Sequence, residues 1–240
     1  MISNKEVALI TNLSIKKYRH KHGLFIAEGE KLVKDLINSD FKVYKILTSD
    51  IEKYQGISEH THEVSENKLK KMSNLKNPSS ILGVFKIPEE IKPINKGLQL
   101  VLDDIQDPGN MGTIIRLCDW YGIKELICSK ETVDCYNPKV VQASMGSLAR
   151  VKISYLDIEN HVKQSTLTIV SSLLEGKNIY QEDLPKDAII IMGNEGNGIR
   201  QKIQDLSDLK LTIPQFGIAS KVESLNVAMA TAIFLSEFKR

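Results

Sequence analysis

The sequence predicts an α/β protein built in two parts, and three observations carry that reading. The C-terminal portion holds near-continuous apolar runs separated by helix-like stretches, the N-terminal portion alternates shorter helix and strand patterns, and a break in pattern lies between them. A run that is apolar throughout suits a strand buried on both faces of a helix-covered parallel sheet. With 240 residues, 42% of them hydrophobic and 26% charged, the chain can bury two cores and is neither disordered nor fibrous.

The elements follow in order. A helix is expected near residues 5–19, a strand at 24–29 (LFIAEG), a helix at 30–39, a strand at 42–49, a helix near 66–73 and a strand at 81–86. Residues 87–97 (IPEEIKPINKG) combine two prolines, a glycine and unpatterned charge, which reads as the linker. The expected division is residues 1–90, a linker at 91–97, and residues 98–240. In the last of these, strands are expected at 98–104, 125–129, 166–172, 188–193 and 209–214, and helices at 110–121, 138–146, 157–164, 198–206 and 222–238. The final helix would place Leu225, Ala228, Met229, Ala232 and Ile233 on one stripe.

Several functional classes drop out. No apolar run reaches the roughly 18 residues of a membrane span and the N-terminus lacks a signal-peptide apolar region, so no membrane partner and a cytoplasmic location are expected. Cys118, Cys128 and Cys135 form no C-x-x-C pair and read as reduced packing residues. The pairs His20/His22 and His60/His62 have no cysteine or carboxylate cluster to complete a ligand set, so no metal is expected. Charge is uneven: residues 1–93 carry 16 Lys and Arg against 12 Asp and Glu, and residues 94–240 carry 16 against 18. Within the basic half, Lys16, Lys17, Arg19 and Lys21 crowd one short stretch around Tyr18, a composition suited to phosphate contacts and base stacking. Lys68, Lys70, Lys71 and Lys76 form a second cluster, and a solvated helix face explains either equally well.

In an open parallel sheet, ligands gather beyond the carboxyl ends of the strands. Three such ends are unusual here. The first runs through Asp103 and Asp104 into QDPGNMGTIIR, where Pro108 and Gly109 turn the chain and Asn110 is placed to cap a helix carrying Arg116 in an otherwise apolar stretch. The second, AIIIMGNEGNGI, sets Gly193, Gly196 and Gly198 around Asn194 and Glu195 with spacing G-x-x-G-x-G. That matches neither the dinucleotide fingerprint nor a P-loop, and a plain turn explains it as well. The third closes at Ile213-Pro214 and leads to Ser224, Leu225 and Asn226 at the opening of the last helix, with Ser224 the expected N-cap.

Taken together, Asp107-Pro108-Gly109-Asn110-Met111-Gly112 with Arg116, then Gly193-Asn194-Glu195-Gly196, then Ile213-Pro214 followed by Ser224-Leu225-Asn226-Val227-Ala228, resemble the three motifs of the SpoU, or TrmH-type, RNA 2′-O-ribose methyltransferases. The likeness covers about residues 98–240 and keeps motif order and spacing. The GLFIAEGEKLV pattern at 23–33 is similar to the ribosomal-protein L30e-like substrate-binding domain that many rRNA-directed members carry. The resemblance implies a deep trefoil knot of the SPOUT type, a homodimer through residues 110–121, with Trp120 and Tyr121, and the last helix, and S-adenosyl-L-methionine as cofactor. It implies rRNA as substrate, a large-subunit guanosine among the targets, with tRNA methylation or a non-catalytic RNA-binding module as alternatives. It assigns Gly193, Asn194, Gly196, Ile213 and Leu225 to the cofactor, the glycines leaving it room, and Arg116, Asn110, Glu195, Ser224 and Asn226 to catalysis. Where relatives often have an arginine before Ala-Ser, this chain has Gln142, and Lys139 and Arg150 are the nearest substitutes.

Overall fold

The computed structural model describes residues 2–89, 93–94, 96–217 and 223–240, and the chain divides into two compact units. Residues 91, 92 and 95 of the expected linker lie outside the described residues, as does Val222, the expected start of the last helix.

The first unit opens with two helices, α1 (Asn4–Asn12) and α2 (Lys16–His22), where one was expected. Ser3 and Glu6 form a reciprocal capping box at the start of α1. The break after α1 has a physical cause. Leu13 is fully buried, and the Arg19 guanidinium donates to the carbonyls of Leu13 (2.8 Å) and Ser14 (2.9 Å), so acceptors at the helix end are satisfied without continuing the helix. Strand β1 (Leu24–Glu28) follows, then α3 (Glu30–Ile37), β2 (Val43–Thr48), β3 (Thr61–Glu63), α4 (Glu66–Met72) and β4 (Ile81–Lys86). The sheet order is β1-β4-β2-β3, with β4 antiparallel to both neighbours and β3 parallel to β2. Ile10, Leu13, Ile26, Leu47, Leu82 and Val84 meet in one core cluster.

The second unit is a six-stranded, wholly parallel sheet. In chain order it contains β5 (Leu98–Asp103), α5 (Pro108–Tyr121), β6 (Glu125–Cys128), β7 (Lys152–Tyr155), α7 (Ile158–Gln164), β8 (Thr168–Asn178), β9 (Ala188–Gly193), α8 (Gln201–Gln204), β10 (Leu209–Thr212) and α9 (Val227–Lys239). The spatial order is β10-β8-β9-β5-β6-β7. The next strand after β5 lies to one side of it and the next after β9 to the other, so the sheet reverses between these two central, buried strands. A crevice beyond their carboxyl ends is where ligands bind in such sheets. Among the described residues no helix is long and apolar enough to cross a membrane.

Two expectations need correction. The last helix begins at Val227, and its buried face is Val227, Ala228, Thr231, Phe234 and Leu235. Met229, on the expected stripe, is 61% exposed: a helix apolar nearly all round hides from periodicity which side is covered. The division at residue 90 is also incomplete: Asp134–Arg150, including α6 (Pro138–Ala143), packs as part of the first unit although it lies between β6 and β7 in the chain. There the buried Asp134 accepts from Arg19 Nε (2.9 Å) and Nη2 (2.6 Å), and Tyr136 joins Phe25 and Phe41 in an aromatic cluster. Val140, Val141 and Leu148 are buried as well. All three cysteines are buried and outside any disulfide, and burial pushes the Cys118 thiol far above its ordinary pKa.

Candidate active site

The ends of β5 and β9 lie side by side, with Asp103 opposite Gly193 in register. Asp103 is fully buried and accepts from the backbone N–H of Arg200 (2.8 Å) and from its Nε (2.7 Å), which fixes the loop after β9 against the end of β5. Asp104 adopts the left-handed region at φ 62°, uncommon for a side-chain-bearing residue. Its carbonyl accepts from Asn194 Nδ2 at 2.6 Å.

The loop after β9 is a closed turn. Asn194 and Gly198 exchange backbone hydrogen bonds of 3.0 Å, and Asn194 Oδ1 accepts from the N–H groups of Gly196 and Asn197, each at 2.9 Å. That closure explains Gly193 differently from the expectation of room for a ligand. A Cβ there would stand 2.3 Å from the Gly198 carbonyl carbon and 2.4 Å from the Ile199 nitrogen, so the glycine is required by the protein's own backbone. Gly196 is the open position, where a Cβ would meet only Asn194 Oδ1 at 3.6 Å.

Helix α5 is capped by Asp107, whose carboxylate accepts from Asn110 N at 2.8 Å, with Pro108 in the first turn. The expected cap, Asn110, lies inside the helix and its side chain is thereby released for another task. Its Nδ2 donates to Glu195 Oε1 (2.9 Å), and its Oδ1 accepts from Asn226 Nδ2 (2.9 Å). Asn226, not Ser224, caps α9, its Oδ1 accepting from Ala228 N at 3.0 Å. Asn226, Asn110 and Glu195 thus form one hydrogen-bonded chain joining all three strand-end segments. In the sheet itself β8 separates β10 from β9, so the third segment reaches the first through this chain and through the packing of α9 on α5.

The remaining candidates are placed as follows. Arg116 is exposed on the second turn of α5 and makes no hydrogen bond or ion pair with a described residue, contrary to the buried setting that its apolar neighbours suggested. Ile213 is half-buried, while Ser224 and Leu225 are exposed. Asp103 and Arg200 escaped the sequence reading as a pair, although two carboxylates closing an apolar strand were a signal. The chemistry of these strand ends fits a sulfonium nucleoside: a backbone-rich loop open at Gly196, and carboxylates already engaged by protein donors. Among the described residues no group of three or more His, Cys, Asp or Glu is arranged to hold a metal.

In the first unit, Lys16, Lys17 and Lys21 are exposed, and Arg19 is not: it is 1% exposed, with its guanidinium bound to Asp134, Leu13 and Ser14. Arg19 is therefore withdrawn from the expected phosphate-binding set.

Residues 97–236 match the model of the SpoU rRNA Methylase family, and residues 4–83 match the MRM3-like substrate binding domain. The 23S rRNA (guanosine(2553)-2′-O)-methyltransferase RlmP of Bacillus subtilis is 31% identical over 239 residues, 97% of this chain and 95% of the relative. Among solved structures, a TrmH-family protein from Porphyromonas gingivalis superposes with a TM-score of 0.90 at 34% identity, covering 99% of this chain and 98% of the other. An AdoMet-bound rRNA methyltransferase from Sinorhizobium meliloti gives 0.88 at 29% identity, covering 100% and 95%.

Proposed function

This chain belongs to the SpoU rRNA Methylase family, and we propose that it methylates the ribose 2′-hydroxyl of rRNA, a guanosine of the large subunit being the target, with S-adenosyl-L-methionine as methyl donor. The observation that carries this reading is the Asn226–Asn110–Glu195 chain, which draws three segments distant in sequence to one crevice at the reversal point of the sheet.

The cofactor supplies an activated methyl group on a sulfonium, so the protein has to align the acceptor hydroxyl and see its proton removed. The loop Gly193–Gly198, Ile213 and Leu225 would hold the nucleoside through backbone groups and apolar contact. Asn110 and Glu195 would keep the first and second segments in register, and Asn226 would bring in the third, beside Ser224. Arg116, exposed and without a partner among the described residues, would orient the phosphate next to the target ribose and stabilise the developing alkoxide. A guanidinium does not deprotonate in proteins, so it is an electrostatic partner and not the base.

We further read the second unit as the knotted SPOUT arrangement and the first as L30e-like, acting in the cytoplasm as a homodimer. Trp120, 84% exposed on α5, and Met229 and Leu225, at 61% and 50%, support an apolar pairing surface. Incubation with methyl-labelled S-adenosylmethionine and large-subunit rRNA, followed by nucleoside mass spectrometry and mapping, tests the activity. Label in a 2′-O-methylguanosine is expected, whereas label confined to tRNA or to a base overturns the assignment. Gly196→Ala is expected to leave the fold intact and weaken cofactor binding severalfold by calorimetry. Gly193→Val is expected to lower the melting temperature as well, because its clash is with backbone.

A further inference from the structure

A second concave site lies wholly within the first unit. It is an open groove of about 340 Å³, within the range of small-molecule sites, between the end of β1, the turn at Asn74–Leu75 and helix α6. Its floor is apolar, from Ile26, Ala27 and Val141, and its rim carries Asn74, Gln142 and the exposed Lys139.

The walls are held in place before any ligand arrives. Buried Glu28 accepts from Asn74 N (2.8 Å) and from Ser73 Oγ, which pins the turn. Asn137 caps α6, accepting from Lys139 N at 2.9 Å. Met145 closes the groove in the left-handed region, at φ 52°, with 51% of its surface exposed. Gly146 beside it packs so tightly that a Cβ would lie 2.1 Å from Asp35 Oδ2. Among the described residues only Met145 and Asp104 have positive φ without being glycine, and Asp104 lies in the candidate active site. Such conformations persist where the surroundings over-determine them, and they cluster at ligand sites.

We propose that this groove holds one unstacked nucleobase of the substrate RNA. Four features fit that occupant. An apolar floor and a polarisable thioether cover the faces of a planar ring. The side-chain amides of Asn74 and Gln142 have no hydrogen-bond partner among the described residues, and each can both give and accept a bond at a base edge. Lys139, exposed on the rim, can meet a backbone phosphate of the same nucleotide. The unit's net charge, 17 Lys and Arg against 12 Asp and Glu, complements a polyanion. This reading rests on RNA being the substrate.

The test follows the 13C-methyl resonance of Met145, assigned with Met145→Leu, in the full chain during titration with a short single-stranded RNA and with the same sequence as a duplex. A shift on single-strand binding that the duplex does not produce is expected. Gln142→Leu and Ala27→Leu should each weaken single-strand affinity about fivefold or more, the lower end of what losing one held base costs. Gln142→Leu is close in size and half-buried, so it remains informative if Ala27→Leu does not fold. A silent Met145, an equal response to duplex, or unchanged affinity in a folded variant overturns the groove assignment. Methylation of large-subunit rRNA by the wild-type protein, measured in parallel, separates the two readings. A Met145 response without methylation removes the activity, and methylation with a silent Met145 removes the groove.

Discussion

Helices α2 and α5 each carry an arginine, and the two exchange the positions their neighbours suggest. Arg116 stands in the apolar run TIIRLCDW yet is exposed and, among the described residues, unpaired, whereas Arg19 stands among lysines and histidines yet is buried and bound to Asp134. The difference teaches that composition within a window reports the average setting of a helix, while a single side chain is placed by the face it occupies. In α5 the buried face is Met111, Gly112, Ile114, Ile115 and Cys118, which leaves position 116 outside. In α2 only Arg19 turns inward.

Arg116→Ala should therefore cost function without cost in stability. We expect methyl transfer to fall by about 10²- to 10³-fold, as when one charge-stabilising donor is removed. S-adenosylmethionine affinity by calorimetry and the urea midpoint should change little. Equal loss of cofactor binding would move Arg116 from the ribose to the cofactor.

Arg19→Met should do the reverse. Breaking a buried pair from one side strands Asp134, at an expected cost of about 3–5 kcal/mol in urea unfolding, and the double variant Arg19→Met/Asp134→Leu should recover part of it. Turnover by the fraction that remains folded should be close to normal. The same pair argues that removing residues 1–93 leaves the buried side of Asp134–Arg150 uncovered, so the truncated chain is expected to aggregate, which light scattering would detect.

The lysines around Arg19 give a smaller, graded effect. Charge reversal at Lys16, Lys17 and Lys21 should weaken RNA binding regardless of sequence and reduce the salt slope by about two, as for three phosphate contacts on a single strand. Reversal that leaves the slope unchanged would make the cluster a solvated face. The smallest expected effect is at the half-buried Glu6–Lys45 pair, 2.5 Å apart. The hydrogen bond from Lys45 is the main cause holding the Glu6 carboxylate down to about 2 from an ordinary 4.5. Its contribution is complete above pH 4.5 and lost as pH falls through 2. Lys45→Met should flatten stability over that window by no more than about 1 kcal/mol after solvent screening.

Legibility in the sequence followed position in the sheet. Strands β5 and β9, central and covered on both faces, announced themselves as apolar runs. β3 (THE) and β7 (KISY) did not, because both are short edge strands whose burial is partial. The three strand-end segments were readable as motifs, but the caps Asp107 and Asn226 were each displaced, by three and two residues, onto a neighbouring polar side chain. The link between Arg19 and Asp134 spans 115 residues and leaves no local periodicity to read.

That link also bears on how the protein is made. Emerging from the ribosome N-terminus first, the chain presents Phe25, Phe41 and Arg19 long before Asp134, Tyr136 and α6 exist to cover them. At roughly 5–20 residues per second the wait from Glu89 to Arg150 lasts several seconds. The first unit is thus the earlier to be begun, yet it cannot finish folding until Arg150 has emerged. Its nascent form needs shelter while residues 90–133 of the second unit are translated.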